Sequence, residues 1–146
     1  MHLKTRGYPK EYFIFGNEDE LAAQFLSKGY KIKYFPEVTT YHRFGSEYRK
    51  SSSRLAKKVF YYYMRNRLWT IWMHESRGRL VKKTIGHLYI YFLRALKYGY
   101  AITYVKALID AIRGLPCCIK HREAVTSPYW RIKAQQISGI HSAVNI

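Results

Sequence analysis

Three consecutive acids, Glu18, Asp19 and Glu20, stand between a Gly-Asn turn and the start of an apolar helical pattern. A carboxylate held at the rim of a site can serve as general base toward a hydroxyl nucleophile. Acids in a first helical turn also complement the positive end of the macrodipole and need no catalytic role. The residues alone leave both readings open. His42 closes a short β-type run. It has no second His or Cys at metal-site spacing, so it would ligate an ion only beside oxygen ligands from elsewhere. Cys117 and Cys118 are adjacent, a spacing that suits neither a relaxed disulfide nor a zinc site. Reduced thiols and a cytosolic setting are therefore expected.

The elements that must position these groups follow from pattern. Tyr12-Phe13-Ile14-Phe15 is aromatic and β-branched and reads as a strand ending at Gly16-Asn17. Leu21, Phe25 and Leu26 share a helical face, with Asn17 as the expected N-cap and Gly29 as the stop. Lys31 to Phe35 alternates like a half-buried strand, and Val38 to Tyr41 gives a second short β segment. Residues 45–53 read as a loop. From Arg54 the period becomes helical. Leu55, Val59 and Tyr62 mark one helix, broken at 75–79. Ile85, Leu88, Phe92 and Leu96 mark a second, running to about Tyr98. Val105, Leu108, Ile109 and Ile112 mark a third, ended by Gly114-Leu115-Pro116. The stretch from about Lys120 shows no firm period and is expected to be loosely ordered.

Charge divides the chain unevenly. Residues 1–42 hold 6 Lys/Arg and 5 Asp/Glu, whereas residues 43–146 hold 20 and 4, within a total of +17. A near-neutral piece is thus followed by a basic one that suits an anionic surface. Fifteen tyrosines add amphipathic rings fit for a boundary. The first residues lack the apolar core of a secretion signal, and Arg94 and Lys97 interrupt the best apolar run, so no spanning helix is expected.

Taken in order, Gly7-Tyr8, Glu11, Phe13, Glu18-Asp19-Glu20-Leu21, Gly29-Tyr30, Pro36-Glu37 and Tyr41-His42 resemble a stretch of bacterial family 2 glycosyltransferases, rhamnosyltransferase-like members included. Tyr61-Tyr62-Tyr63-Met64-Arg65-Asn66-Arg67-Leu68 resembles the Tyr-x-x-x-Arg-Asn segment that follows in the same proteins. The resemblance covers about residues 6–72. It implies an α/β fold, the C-terminal part of a GT-A domain with short strands and one helix, followed by amphipathic helices. The expected division is residues 1–45 for the catalytic portion, 46–119 for a basic helical extension and 120–146 for the tail.

The resemblance also implies roles. One acid of Glu18, Asp19 and Glu20 would deprotonate the acceptor hydroxyl. Ungapped spacing from Gly29 and His42 favours Glu18 as base with Glu20 as second acid, whereas matching the letters Glu-Asp favours Asp19. His42 would help hold Mg²⁺ or Mn²⁺ on the nucleotide diphosphate, and Arg65, Asn66 and Arg67 would contact acceptor or membrane. Gln24 stands where the family commonly has Arg. The implied reaction is inverting transfer from a nucleotide-sugar donor to a saccharide or lipid-linked acceptor in cell-surface polysaccharide synthesis. Its implied place is the cytoplasmic face of the plasma membrane, against anionic lipid.

No Asp-x-Asp motif or Gly-rich phosphate loop occurs in the sequence. The nucleotide half, and with it the metal, is therefore expected on another stretch or a separate chain. The sequence then represents a gene fragment, a shortened chain or one part of a split enzyme, inactive alone. A basic nucleic-acid-binding module and a non-catalytic scaffold are the rival readings. The former is disfavoured by the absence of any zinc spacing, RNP-like run or helix-turn-helix pattern.

Overall fold

The computed structural model describes residues 5–33, 35, 37, 39, 41 and 54–125. Over these the chain forms a 3-10 turn (Lys10–Tyr12) and five helices: α1 (Asn17–Ser27), α2 (Arg54–His74), α3 (Arg77–Tyr98), α4 (Ala101–Arg113) and α5 (Leu115–Lys120). No strand occurs among the described residues, so the architecture is all-helical and the expected α/β, GT-A-type fragment is overturned.

The strand-like segments fail for a physical reason. Tyr12 closes the 3-10 turn, and Phe13 and Phe15 adopt φ values of 58° and 64°, which reverse the chain instead of extending it. The Ile14 amide donates to the Tyr12 carbonyl at 2.7 Å, closing a γ-turn at Phe13. Carbonyls that a neighbouring strand would have engaged are taken by α2. Asn66 Nδ2 donates to the oxygens of Tyr12, Ile14 and Phe15 at 3.0, 3.0 and 2.6 Å, and Arg65 Nη2 donates to that of Glu11 at 2.8 Å. Lys31, Ile32, Lys33 and Phe35 are exposed and irregular. Alternation alone does not make a strand where no partner ladder is supplied. Of the second β segment, residues 38 and 40 lie outside the described residues, and Thr39 and Tyr41 are irregular.

The helices begin and end for local reasons. Gly29 and Gly99 both take positive φ, and each closes its helix with a Schellman pair: Tyr30 N–H to Phe25 and Gly29 N–H to Leu26, then Tyr100 N–H to Ala95 and Gly99 N–H to Leu96. Asn17 is the first residue of α1 and does not cap it; Gly16 holds the N-cap position in a left-handed conformation.

α2 is the central element, in contact with each of the other four helices. Its inward face carries Phe60, Met64 and Leu68 at i, i+4, i+8, and beside them a polar row, Asn66, Thr70 and His74, at the same spacing. α4 meets α2 through Ala107 and Ala111, both fully buried. Their small side chains allow Trp69 Nε1 to donate to the Ala111 carbonyl at 2.9 Å. The Tyr61 hydroxyl adds a 2.7 Å bond to Asp110 of α4. α3 turns Leu88, Tyr91 and Ala95 toward this core. The most apolar residues of α3 and α4 point the other way. Ile85, Phe92, Leu96, Val105, Ile109 and Ile112 are all exposed, so of the two periodic stripes only Leu88 and Leu108 face the core. The segment after α5 crosses the end of α2, where the amides of Glu123 and Val125 donate to Met73 and His74, and Val125 is buried.

Candidate functional site

Successive helical positions differ by about 100°, so the three neighbouring acids at the start of α1 diverge. Glu18 is exposed. Asp19 is half-buried and pairs with Arg67 of α2 at 3.0 Å. Glu20 is fully buried and receives hydrogen bonds from Arg6 Nη2 (3.1 Å), Gln24 Nε2 (3.3 Å) and the Tyr12 hydroxyl (3.4 Å), while His74 Nε2 lies 2.9 Å from it. A buried carboxylate is tolerated only when so compensated. Glu20 therefore joins α1 to α2 from within the fold, and its oxygens do not reach solvent.

Arg65 and Asn66 also point inward. Besides holding the Glu11–Phe15 turn, the Arg65 guanidinium lies 4.4 Å from the Trp69 ring centroid and within 5.5 Å of those of Tyr61 and Tyr62. Arg67, the third residue of that trio, is the one that reaches the surface. It borders a concavity of about 270 Å³ beside the N-terminus of α1, lined by Gly16, Asp19, Tyr63, Arg67, Thr70, His87, Ile90, Tyr91 and Arg94. The wall combines two guanidinium groups, one carboxylate and two phenol rings. Arg94 lies 5.2 Å from the Tyr91 ring centroid, and Phe15 stacks on Tyr63 at 5.2 Å. His87 Nε2 lies 3.1 Å from the Met64 carbonyl; a carbonyl only accepts, so Nε2 carries the proton and donates it. Burial first, then the charges of Arg67 and Arg94, lower its pKa to about 4 against the opposing pull of the Met64 carbonyl. The ring is neutral at physiological pH. Rings flanked by cations and hydroxyl donors suit a hydroxyl-rich or anionic ligand.

Structure and sequence thus assemble different sets. Asp19 and Arg67 meet at the concavity, with Glu18 exposed one residue earlier in the same turn. Glu20, Arg65 and Asn66 lie behind it in the interior. His42 is outside the described residues. Among the described residues no group of three or more His, Cys, Asp or Glu could hold a metal ion. The residues that motif reading passes over are His74, Arg6 and Tyr12 in the buried network and His87, Tyr91 and Arg94 in the concavity. One signal was present: the polar row Asn66, Thr70, His74 at i, i+4, i+8 marks an inward polar stripe within an apolar helix. Set against family models, curated proteins and solved structures, the chain gives no match in any of the three comparisons.

Proposed function

We propose that this chain forms the acceptor side of a family 2 sugar transferase, with Glu18 as the general base. The observation that supports the reading is the mutual fit of two family-like stretches far apart in sequence. Asn66 of the Tyr-x-x-x-Arg-Asn segment holds the turn before the acidic cluster, and Arg67 pairs with Asp19 inside it. Together they fix the first turn of α1 while leaving Glu18 open to solvent.

In this reading the acceptor, a saccharide or a lipid-linked one, lies along the Arg67–Arg94 concavity with a hydroxyl at Glu18. The carboxylate takes the hydroxyl proton as the oxygen attacks the sugar of a nucleotide-sugar donor from the face opposite the departing diphosphate. A divalent ion, when bound, supplies charge to that leaving group. Asp19 acts as a positioning residue, holding Arg67 against the acceptor. Such acceptors would place the chain at the cytoplasmic face of the plasma membrane.

The test is sugar transfer by the assembled enzyme, measured with Glu18→Gln and Asp19→Asn. Glu18→Gln should lower kcat by about 10²-fold or more at unchanged stability, the usual reach of general-base catalysis. Asp19→Asn should chiefly raise the acceptor KM. Full activity in Glu18→Gln would sink the assignment of the base.

A further inference from the structure

α3 and α4 are consecutive helices in contact, joined through Gly99 and Tyr100, and the outer side of this hairpin is unusual. At about 100° per residue, Val81, Ile85, Tyr89, Phe92 and Leu96 fall in one arc of α3. Ile102, Val105, Ile109 and Ile112 do the same on α4. Every one of these side chains is exposed, from 44% for Ile109 to 74% for Ile102. The two arcs adjoin, because the helices touch along the edge where Phe92 meets Tyr104, with ring centroids 6.0 Å apart, and where the Tyr104 hydroxyl donates to the Leu88 carbonyl. The result is a continuous apolar face. It extends to α5 through a groove where Val81 and Ile85 meet Leu115 and Ile119. Full burial within the fold is left to Ala95, Ala107 and Ala111, with Leu88, Tyr91, Tyr104 and Leu108 partly buried beside them.

The edges of this face are cationic. Lys82 and Lys97 flank the α3 arc on its far side, and Lys106 and Arg113 flank the α4 arc on the other, all exposed. Residues 77–122 contain ten Lys/Arg and a single acid, Asp110, which is engaged by Tyr61 and Arg113. We propose that the α3–α4 hairpin is a docking surface for an anionic lipid leaflet, lying in the interface with its apolar arcs among the acyl chains and its basic edges on the head groups. Among the described residues no helix is long and apolar enough to cross a membrane, and the two-sided pattern of both helices is that of in-plane binding. Charge complementarity selects this occupant. A second copy would bring like-charged rims together, and a neutral apolar partner would leave them unmatched. The inference stands apart from the sugar-transfer reading, since none of these residues touches the acidic turn.

The experiment is sedimentation of the full chain with phosphatidylcholine vesicles and with phosphatidylcholine–phosphatidylglycerol mixtures. Binding to the mixture, little to phosphatidylcholine alone, and release at high salt are expected. Ile85→Asp combined with Ile109→Asp should weaken binding at least about tenfold, because two exposed side chains lose their acyl contacts. Lys82→Glu with Lys97→Glu and Lys106→Glu leaves the apolar face intact and should weaken it about 100-fold or more. Circular dichroism checks that both variants fold; if the aspartate pair does not, the charge reversal carries the test. Three results overturn the proposal. One is equal binding to neutral vesicles, and another is no binding by the folded chain. The third is binding to nucleic acid, or a concentration-dependent dimer, with no capture by anionic lipid.

Discussion

Glu20 and His74, separated by 54 positions in the chain, meet at 2.9 Å with both side chains wholly buried. His74 Nδ1 faces the Glu123 carbonyl at 2.9 Å and must donate to it, since a carbonyl only accepts. The ring thus bridges the Glu123 carbonyl on one side and the Glu20 carboxyl, through Nε2, on the other. Through it α1, α2 and the segment after α5 are joined in one network. Removing either partner leaves the other buried without its mate, so Glu20→Ala and His74→Ala should each cost about 3–5 kcal/mol. Denaturant unfolding measures both. The double variant should cost well short of the sum, and full additivity would show that the two groups do not interact.

Asn66 offers a sharper discrimination because its isostere is available. Its amide donates to three backbone oxygens of one turn. Asn66→Ala strands those carbonyls and should cost about 2–3 kcal/mol. Asn66→Asp keeps the shape but turns acceptors toward acceptors, so it should be the more damaging of the two. Equal thermal shifts would mean that volume, not donation, matters at this position.

Acid should loosen the fold over a definable window. Burial holds the folded pKa of His87 at about 4, below the ordinary 6.5. The folded state therefore binds the proton less readily than the unfolded chain. The resulting stability is complete above pH 6.5 and is lost as pH falls through about 4. His87→Gln should flatten the stability profile between those values while leaving the separate acid loss from Asp110 and Glu123, whose pKa values are lowered in the folded chain. An unchanged slope between pH 6.5 and 4 in His87→Gln would remove His87 from the account.

The two thiols should separate cleanly. Cys117 is exposed, with its sulfur 3.4 Å from His121 Nδ1, whereas Cys118 is buried. Burial, and secondarily its neighbour Cys117, pushes the Cys118 thiol up to about 12. Because the thiolate is the reactive form, a disulfide reagent should titrate one cysteine per folded chain and the second only on unfolding. Cys117→Ser should abolish the fast phase. Two fast thiols in the wild-type chain would contradict the burial of Cys118.

Periodicity located α2, α3 and α4 closely, with stops at Gly99 and Gly114, but it set the break at 75–79 where α3 already begins at Arg77, and it missed α5, which starts at the Leu115-Pro116 read as a stop. It did not tell inside from outside. An apolar stripe such as Val105, Ile109, Ile112 reads as a core face, yet α4 packs through Ala107 and Ala111, whose small size lets the backbones approach. The strand reading near Tyr12 rested on residue type and that near Ile32 on alternation. Whether such segments extend depends on a partner ladder, and at the first of them Asn66 and Arg65 intercept the carbonyls. Within the candidate site, the acidic turn was legible as a cluster but not its three separate fates, because the direction of each carboxylate depends on where α2 lies. His87, Tyr91 and Arg94 reach the concavity only through the tertiary crossing of α3 over α2, which no local spacing announces.

The central position of α2 bears on how the molecule comes apart. α3 and α4 are neighbours in sequence and close on α2 through short connections, so their assembly needs little loop closure. α1 packs chiefly on α2 and reaches it across an interval of tens of residues, through contacts such as Glu20–His74 and Asp19–Arg67. Its docking carries the larger ordering cost and the smaller apolar return. Amide exchange should accordingly find α1 opening at a lower free energy than α2 and α4, with the rest of the bundle still closed. The turn that bears Glu18 would then be sampled undocked more often than the described helices α2 and α4.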